Sequence, residues 1–375
     1  MPAQKTNSIE VKRVNRNRIY CYLYKKEQLS KQDIAYALKM SLPTVTQNIK
    51  ELQELGLIEE TGTLESTGGR KARAISFKSN ARFAIGLDVT KNHISVVLVD
   101  LGGNVIENQH FNHPFINRRD YFEEVGRLIR QFVDELHIEH SKILGVGIAV
   151  PAIVSEDQQL VTYSPILGFT GGTLKSFAEF IPYPCMLCND ANAAGTAELW
   201  SEGEMKDMVY LSLNDTVGGA VLVDGKLCFG KNQRGGALEH MTIVPGGKTC
   251  YCGQQGCLDA YCSAHILAES AGGKLENFFA NLERGSQRHR KVWDEYLQML
   301  TLATNNLRMI FDCNIILGGH VGSYLDDYID QLREIAAKRN TFEQDGSYLQ
   351  VCDYKVEATA VGAALMYITP FIRDF

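Results

Sequence analysis

Four potential metal ligands lie within eighteen positions of this chain. His240 is followed by Cys250, Cys252 and Cys257 in the stretch HMTIVPGGKTCYCGQQGC. One imidazole and three thiolates complete a tetrahedral shell for zinc, and a shell without an open position favours a structural ion over a catalytic one. Cys250 and Cys252 are too close in sequence for a relaxed disulfide in a regular strand. The glycines between the last two cysteines let the chain turn, so that Cys257 returns to the same centre. The alternative is a loop of reduced cysteines.

The length and composition limit what kind of protein surrounds this cluster. The chain has 375 residues, of which 45% are hydrophobic and 22% charged, so we expect two or three globular domains. Its first eighteen residues are polar and basic, unlike a signal peptide, and no apolar run reaches the length of a membrane-spanning helix. We expect a cytoplasmic protein with no membrane partner, whose ten cysteines are thiols or metal ligands.

Charge is distributed unevenly along the chain. Residues 1–80 contain 14 Lys and Arg against 8 Asp and Glu, a net charge of +6. The remaining residues contain 24 against 36, a net charge of −12. A basic head on an acidic body indicates that only the head meets a polyanion. Chance clustering of surface charge is the alternative.

Two short helices are predicted within the basic head. Ser30 can cap the first helix, and Asp33 is placed to complete a capping box. After a brief turn, Ser41 can cap the second helix, which tolerates Pro43 in its first turn. Two helices joined by so short a turn are typical of a helix-turn-helix.

The second helix has an apolar and a polar face. Its apolar residues recur at spacings of four, three and three, which predicts one buried face: Val45, Ile49, Leu52 and Leu55. Its outward polar residues are those that a helix-turn-helix presents to base edges in the major groove: Thr44, Thr46, Gln47 and Lys50. Arg70 and Lys71 follow in a glycine-rich turn, which we interpret as a wing that contacts phosphates or the minor groove. We predict a winged helix-turn-helix over residues 1–80; the alternative is a small helical domain for protein interaction.

From about residue 82, strand and helix patterns alternate. The stretches FAIGLDVTKNHISVVLVDLGGNVI and MVYLSLNDTVGGAVLVDGKLCFG each predict two strands joined by a tight turn, and they are weakly alike. This duplication predicts two α/β lobes with a cleft between them. We assign the lobes to residues 81–195 and 196–375, with the C-terminal helix free to return to the first lobe.

Three segments of the body resemble the ROK family, a group of sugar kinases and sugar-responsive repressors with an actin-like, hexokinase-type fold. His240 and the cysteine segment resemble the zinc signature of that family. CNDANAAGTAEL at 188–199 resembles its sugar-binding segment, and ILGGHVG at 316–322 resembles a glycine-rich turn near the nucleotide of the kinases. Because ROK repressors also carry a winged helix before the body, the resemblance covers nearly the whole chain. It implies a winged helix-turn-helix joined to a two-lobed, actin-like α/β ROK body.

The resemblance also implies which residues contact a sugar. The Asn-Asp pair of the family matches Asn189 and Asp190, while its histidine and the acidic residue after the last cysteine match His240 and Asp259. The segment GALEH departs from the family pattern, because an alanine replaces the usual sugar-contacting glutamate and Glu239 replaces a glycine. Glu239 is therefore a further candidate contact. The predicted zinc would hold these ligand-binding groups in place without touching the sugar.

The same resemblance weighs against an ATP-dependent sugar kinase. The kinases carry an Asp-x-Gly-Gly-Thr turn where residues 88–92 of this chain hold no glycine, and a Gly-Thr-Gly triplet where residues 214–216 are Asn-Asp-Thr. Without those glycines the backbone N–H groups cannot approach a phosphate, and Asp215 places a negative charge against it. We therefore predict no catalytic residue; Asp190 would be the base if the chain were a kinase.

Taken together, these features predict a sugar-responsive transcription regulator. We expect a repressor that a sugar in the cleft releases from double-stranded operator DNA, with structural zinc as its cofactor. We expect a homodimer or a higher homo-oligomer, and a dimer would place two winged helices on a palindromic operator. Two alternatives stay open: a sugar kinase with a fused DNA-binding head, and a regulator that responds to a protein partner instead of a small ligand.

Overall fold

The computed structural model describes residues 8–26, 28–63, 73–202, 205–355 and 357–374. Its head contains three helices and a two-stranded antiparallel sheet: α1 (Ser8–Tyr24), α2 (Lys31–Leu38), α3 (Leu42–Glu54), β1 (Ile58–Thr63) and β2 (Arg73–Phe77). Both predicted caps form. Ser30 and Asp33 make a capping box at α2, and the Ser41 side chain accepts a hydrogen bond from the Thr44 N–H at the start of α3.

The predicted apolar face of α3 is buried except at its end. Val45, Ile49 and Leu52 are fully buried in the core of the head. Leu55, which the sequence analysis placed on the same face, lies just after the last helical residue and is 41% exposed. The reason is that the chain turns at Gly56, whose φ of +69° ends the helix. That part of the prediction is wrong.

The first lobe of the body is built on a five-stranded mixed sheet. Its strands and those of a small adjoining hairpin are β3 (Phe83–Val89), β4 (Ile94–Asp100), β5 (Val105–Phe111), β6 (Ile143–Val150), β7 (Ile153–Val154), β8 (Val161–Tyr163) and β9 (Cys185–Asn189). The sheet order is β5-β4-β3-β6-β9, and β7 pairs with β8 alone. Strands β3, β4 and β5 are antiparallel neighbours, whereas β6 and β9 continue the sheet in parallel with β3. Three helices belong to this part of the chain: α4 (Arg119–Glu135), α5 (Lys175–Ala178) and α6 (Asp190–Glu202).

The second lobe repeats this arrangement. Its strands are β10 (Met208–Leu213), β11 (Val217–Val223), β12 (Lys226–Leu227), β13 (Asn314–Gly318) and β14 (Leu349–Val351), in the order β12-β11-β10-β13-β14. As in the first sheet, the leading strand pairs antiparallel with the strand that follows it and parallel with a later one. The predicted duplication of two α/β lobes is confirmed.

The remaining helices of the second lobe cover its sheet. They are α7 (Asp259–Cys262), α8 (Ala264–Glu269), α9 (Leu275–Glu283), α10 (Gln287–Phe311), α11 (Gly319–Gly322) and α12 (Ile329–Ala337). The long helix α10 buries Trp293, Leu297 and Leu300 in the same core as the strands. Within the described ranges, no helix combines the length and the apolar character that crossing a membrane requires.

The last helix, α13 (Ala358–Asp374), packs on strands β3, β4 and β6 of the first sheet and along α6. Helix α6 begins directly after β9 of the first sheet but packs on β10 and β11 of the second. The lobe boundary that the sequence analysis placed at residue 195 falls inside α6, because this one helix joins the two sheets. Helices α6 and α13 together form the layer between the lobes.

The head shares a hydrophobic core with the body. Ile19 and Leu23 of α1 belong to the same buried cluster as Val97 of β4 and Ile368 of α13. The Asn17 side-chain amide donates a hydrogen bond to the Ile372 carbonyl oxygen near the end of α13, at 3.3 Å. The head therefore rests on the C-terminal helix of the body through both apolar and polar contacts.

Candidate ligand cleft and metal centre

A cavity of about 830 Å³ opens between the two lobes. Its wall includes residues at or just beyond the carboxyl ends of four strands: Asp88 in β3, Asp190 after β9, Asn214 after β10 and Gly319 after β13. In α/β sheets this edge is where ligands bind, because side chains that follow several strands converge there. The volume lies within the range of small-molecule sites.

The Asn-Asp pair stands where β9 passes into α6. The Asn189 amide donates to the Ala152 carbonyl oxygen at 3.1 Å and to Asp190 Oδ1 at 3.0 Å. Asn189 Oδ1 accepts a hydrogen bond from the Asn192 N–H at 2.9 Å. Asp190 lines the cavity, whereas Asn189 does not. Of this pair, the structure brings only the aspartate to the cavity wall, and Asn189 holds it in place.

Asp88 is a second carboxyl group in the same wall. Burial raises the pKa of Asp190 to about 6. Burial, followed by the nearby charge of Asp190, raises the pKa of Asp88 to about 8. Carboxyl groups with such raised pKa values in a cavity are characteristic of binding sites. The sequence analysis treated Asp88 only as the start of a loop, because nothing in the sequence shows that it lies beside Asp190.

We expect Asp88→Asn to stabilise the unliganded protein more at pH 8 than at pH 5. Because the pKa of Asp88 is raised on folding, the folded state binds more protons than the unfolded state between about pH 4 and pH 8, and wild-type stability falls as pH rises through that window. The asparagine removes this loss, which amounts to about 3–4 kcal/mol between the two pH values because each pKa unit corresponds to about 1.4 kcal/mol. Melting temperatures measured from pH 5 to pH 8 test the effect, with the exposed Asp330→Asn as control. Parallel curves for wild type and Asp88→Asn would contradict it.

Asp259 and Glu239 add two further acidic groups. The buried Asp259 carboxylate accepts a hydrogen bond from the Val217 N–H at 2.8 Å, which ties the start of α7 to β11. Burial raises the pKa of Asp259, and it raises that of Glu239 to about 7. The charges of Asp190 and Asp259 raise the pKa of Glu239 further. Asp190, Glu239 and Asp259 therefore share one electrostatic environment. Asp190 and Asp259 line the cavity, whereas Glu239 does not.

In the described part of the chain, one group of potential metal ligands is already assembled: His240, Cys250, Cys252 and Cys257, whose ligand atoms all lie within 4.8 Å of one another. The sulfurs of Cys252 and Cys257 are 3.8 Å apart, and the Cys250 sulfur is 3.9 Å from His240 Nδ1. Thiolates bound at about 2.3 Å to a tetrahedral zinc ion are about 3.8 Å from each other. The residues therefore fit a Cys3His metal site. All ten cysteines, including the nearby Cys262, are free of disulfides.

Two glycines allow the loop to fold around this group. Gly253 and Gly256 both have φ of +85°, a conformation that other residues adopt only with strain. A Cβ at Gly256 would lie 1.8 Å from the Val244 carbonyl oxygen. The turn at Gly256 places Cys257 in a β-bridge with Thr242. The chain thus returns to the ligand group as the glycine spacing suggests.

His240 connects the metal group with the ligand pocket. Its Nε2 atom lies 3.7 Å from the Glu239 carboxylate and 3.5 Å from the Tyr251 hydroxyl. Tyr251 and Cys250 line the cavity, whereas His240 itself does not. A metal ion bound here would fix the backbone that carries Glu239 and, through Cys257, the segment that leads into Asp259.

The two loops that the sequence analysis compared with the phosphate turns of the kinases also line the cavity, at residues 90–92 and 214–216. The Thr90 hydroxyl donates to the His93 carbonyl oxygen and accepts from the His93 N–H, so this turn is closed by its own side chain. Asp215 is exposed in the second loop. Beside them lie His93, His110 and His320, to which the sequence analysis gave no role because they are far apart in the chain.

The predicted DNA-binding residues of α3 form an accessible polar face. Thr46, Gln47 and Lys50 are exposed, while Thr44 is half-buried and its hydroxyl lies 2.8 Å from that of Ser41. The predicted wing residues Arg70 and Lys71 lie outside the described residues. The antiparallel pairing of β1 with β2 supplies the two strands that a wing needs.

Comparison with known proteins gives two family matches. Residues 84–369 match the model of the ROK family, and residues 13–59 match a model described as winged helix-turn-helix DNA-binding. The chain is similar to the xylose repressor of Bacillus spizizenii, with 28% identity over 69% of this chain and 68% of that protein. It is similar to the xylose repressor of Caldicellulosiruptor bescii along 98% of both chains, with 24% identity. A crystal structure of a ROK family transcriptional regulator, a homologue of the E. coli MLC protein, has the same fold, with a TM-score of 0.76, 21% identity and 97% of both chains covered.

Proposed function

Because this chain belongs to the ROK family, we propose that it is a transcriptional repressor that a sugar, bound in the cleft, releases from its operator. One observation carries the proposal. The first residues of α13, Ala358 and Thr359, line the cavity. In the last turn of the same helix, the Ile372 carbonyl oxygen accepts a hydrogen bond from Asn17 of the head. A single helix therefore joins the ligand site to the DNA-binding head. The similarity to a xylose repressor along 98% of both chains supports the same function.

The proposed switch is a movement of the lobes that α13 transmits. Sugar binding would close the cleft, shift α13 and alter the placement of α1 and the head. With 17 residues, α13 spans about 25 Å, enough to connect the two regions directly. A ligand drives such a change only through a difference in its affinity for the two conformations, and coupling of roughly 1–3 kcal/mol is typical.

Each candidate residue has a separate role in this proposal. Asp190 and Asp259, which line the cavity, accept hydrogen bonds from sugar hydroxyls, Glu239 is a candidate contact just outside the cavity wall, and Asn189 orients Asp190. His240, Cys250, Cys252 and Cys257 hold a structural zinc ion, and His240 stands behind the sugar pocket beside Tyr251, which lines it. Zinc supplies fixed geometry there and no chemistry, because four protein ligands leave no position for water or substrate.

The partners follow from the head and its target. Double-stranded DNA with two half-sites needs two heads, so we propose a homodimer that acts on a palindromic operator in the cytoplasm. Thr44, Thr46, Gln47 and Lys50 would contact the major groove. Arg70 and Lys71 would contact phosphates or the minor groove from the wing.

An ATP-dependent sugar kinase is the second candidate, because Asp190 lines the cleft where a base would be needed. We propose that the chain does not transfer phosphate, since residues 90–92 and 214–216 hold no glycine and Asp215 would repel a polyphosphate. The measurement is ATP turnover in the presence of a panel of sugars. Sugar-dependent turnover that is lost in Asp190→Asn would establish the kinase instead.

Asp190→Asn is expected to weaken sugar binding about 10- to 100-fold and to leave operator affinity unchanged. The variant loses a charge-assisted hydrogen bond to a sugar hydroxyl, which contributes about 1.5–3 kcal/mol. An operator is first selected from random DNA, and fluorescence anisotropy then measures its release by a panel of monosaccharides. The exposed Asp330→Asn is the matched control. Operator binding that ignores every sugar would contradict the switch and favour a protein partner as the signal.

Gln47→Ala is expected to weaken binding to the selected operator by about 1–3 kcal/mol and to relax specificity at one base pair, because a glutamine side chain can pair with an adenine edge in the major groove. Sugar affinity should not change. Operator variants with single base-pair changes, titrated with wild type and variant, check this. Lys338→Ala on the exposed surface of the body is the control. An equal loss of affinity for all DNA sequences would mean that Gln47 contacts the DNA phosphate backbone and not a base edge.

A further inference from the structure

Three imidazoles from the two lobes meet in the cleft. His93 precedes β4 and His110 lies near the end of β5, both in the first lobe, with ring centroids 4.4 Å apart. His320 belongs to α11 in the second lobe, and its ring centroid is 6.5 Å from that of His93. All three line the cavity together with Asp215. Neither the sugar contacts nor the Cys3His group uses these residues.

Each histidine is held by a neighbouring polar group. The backbone N–H of His93 donates to Thr90 Oγ1 at 3.1 Å, and the backbone N–H of His320 donates to Asn214 Oδ1 at 2.7 Å. The Ser95 hydroxyl lies 3.0 Å from His110 Nδ1. This contact orients the His110 imidazole and leaves its other ring nitrogen available for a ligand, whereas the hydrogen bonds of His93 and His320 fix the backbone that carries their rings.

The chemistry of this cluster suits a metal cation better than an anion. Burial, and then the neighbouring His110 and His320, lower the pKa of His93 to about 4, while Asp215 opposes the shift. Neutral imidazole is the form that binds metal ions, and the Asp215 carboxylate in the same cavity wall favours a cation. An anion would need protonated imidazoles, and it would meet the carboxylate of Asp215.

We propose that His93, His110 and His320, with Asp215, bind a divalent transition metal ion that bridges the two lobes. Imidazoles on one ion have ring centres about 3 Å from the metal and so roughly 4.5 to 6.5 Å from each other. Both measured centroid distances are close to this range. In the described residues only the Cys3His group has its ligand atoms already assembled. In the proposed site, His320 and Asp215 of the second lobe therefore reach the ion when the lobes approach His93 and His110 of the first. The bound ion favours the closed cleft.

The test uses the full chain with its Cys3His site saturated with zinc, titrated with Ni²⁺, which imidazole ligands suit. Calorimetry is expected to show one Ni²⁺ bound per chain, while elemental analysis shows that the zinc is retained. His93→Gln and His320→Gln should each weaken Ni²⁺ binding at least about tenfold. His265→Gln, a histidine of the same cavity outside the cluster, should bind Ni²⁺ like the wild type.

Three results would overturn the proposal. The first is no uptake of Ni²⁺ beyond the zinc site at millimolar concentration. The second is equal uptake by wild type and both cluster variants, each shown to be folded by its melting curve. The third is binding of inorganic phosphate that the same variants lose, which would make the cluster an anion site. None of these results bears on operator release by sugar.

Discussion

Replacement of Cys257 by serine is expected to remove the metal from the Cys3His site, abolish operator release by sugar and lower the free energy of unfolding by about 3–5 kcal/mol. Serine offers a neutral hydroxyl in place of a thiolate and is a poor zinc ligand. Cys257 is buried, and it lies two residues before Asp259. Without the metal, the loop that carries Asp259 and the turn that carries Glu239 lose their common anchor.

Elemental analysis, thermal melting and sugar-induced operator release measure the three effects of Cys257→Ser. The matched control is Cys228→Ser, because Cys228 is an exposed thiol outside the ligand group. Operator affinity without sugar should fall much less than the sugar response, since the head packs on β4 and α13 and the Cys3His group lies in the second lobe. A Cys257→Ser protein that retains one zinc per chain and responds to sugar would exclude the assigned ligand set.

Gly147→Ala is expected to destabilise the body by at least about 3 kcal/mol. Gly147 lies in β6 where α13 crosses the first sheet, and a Cβ there would be 1.9 Å from the Ala363 carbonyl oxygen. A Cβ at Gly86 in β3 would likewise lie 1.7 Å from the Ala360 carbonyl oxygen. The clash is with backbone, which no side-chain rotation relieves, so the whole helix would have to move away from the sheet. Because α13 also contacts the head, we expect operator release to be lost in any protein that still folds.

Chemical denaturation and operator binding measure the consequences of Gly147→Ala. Gly168→Ala is the control, since a Cβ there meets nothing within 4 Å and only its φ of +61° is unfavourable, at a cost of about 1–2 kcal/mol. Equal stability of the two variants would mean that the close packing of α13 on β6 does not contribute to the stability of the body.

Short-range features were predictable because neighbouring residues form them. The caps at Ser30 and Ser41 and the buried face of α3 depend on residues within one or two helical turns. Leu55 was misplaced because the apolar spacing continues one position beyond the last helical residue, to the position just before the turn at Gly56. The metal group was predictable for the same reason, since its four ligands lie within eighteen positions and its glycines mark the turns.

Family resemblance extended the prediction to the fold. The winged helix-turn-helix and the two-lobed ROK body are confirmed by the family matches and by the two similar sheets. Motif matching placed Asn189 and Asp190 together as sugar contacts, but it could not show the direction of each side chain. One of the three hydrogen bonds of Asn189 within the protein joins its side chain to Ala152, which follows β6 and lies 37 positions earlier in the chain.

The sequence by itself determined the helices of the head, the metal-ligand group and the family of the body, because each is recorded in local spacing or in a short motif. Only the tertiary structure decided that Asp88 lies beside Asp190, that His93 faces His320 across the cleft, and that α13 connects the cavity with the head. These contacts join residues about one hundred to more than three hundred positions apart. They arise when sheets and helices pack, and packing depends on the shape of whole surfaces and not on the spacing of any one segment.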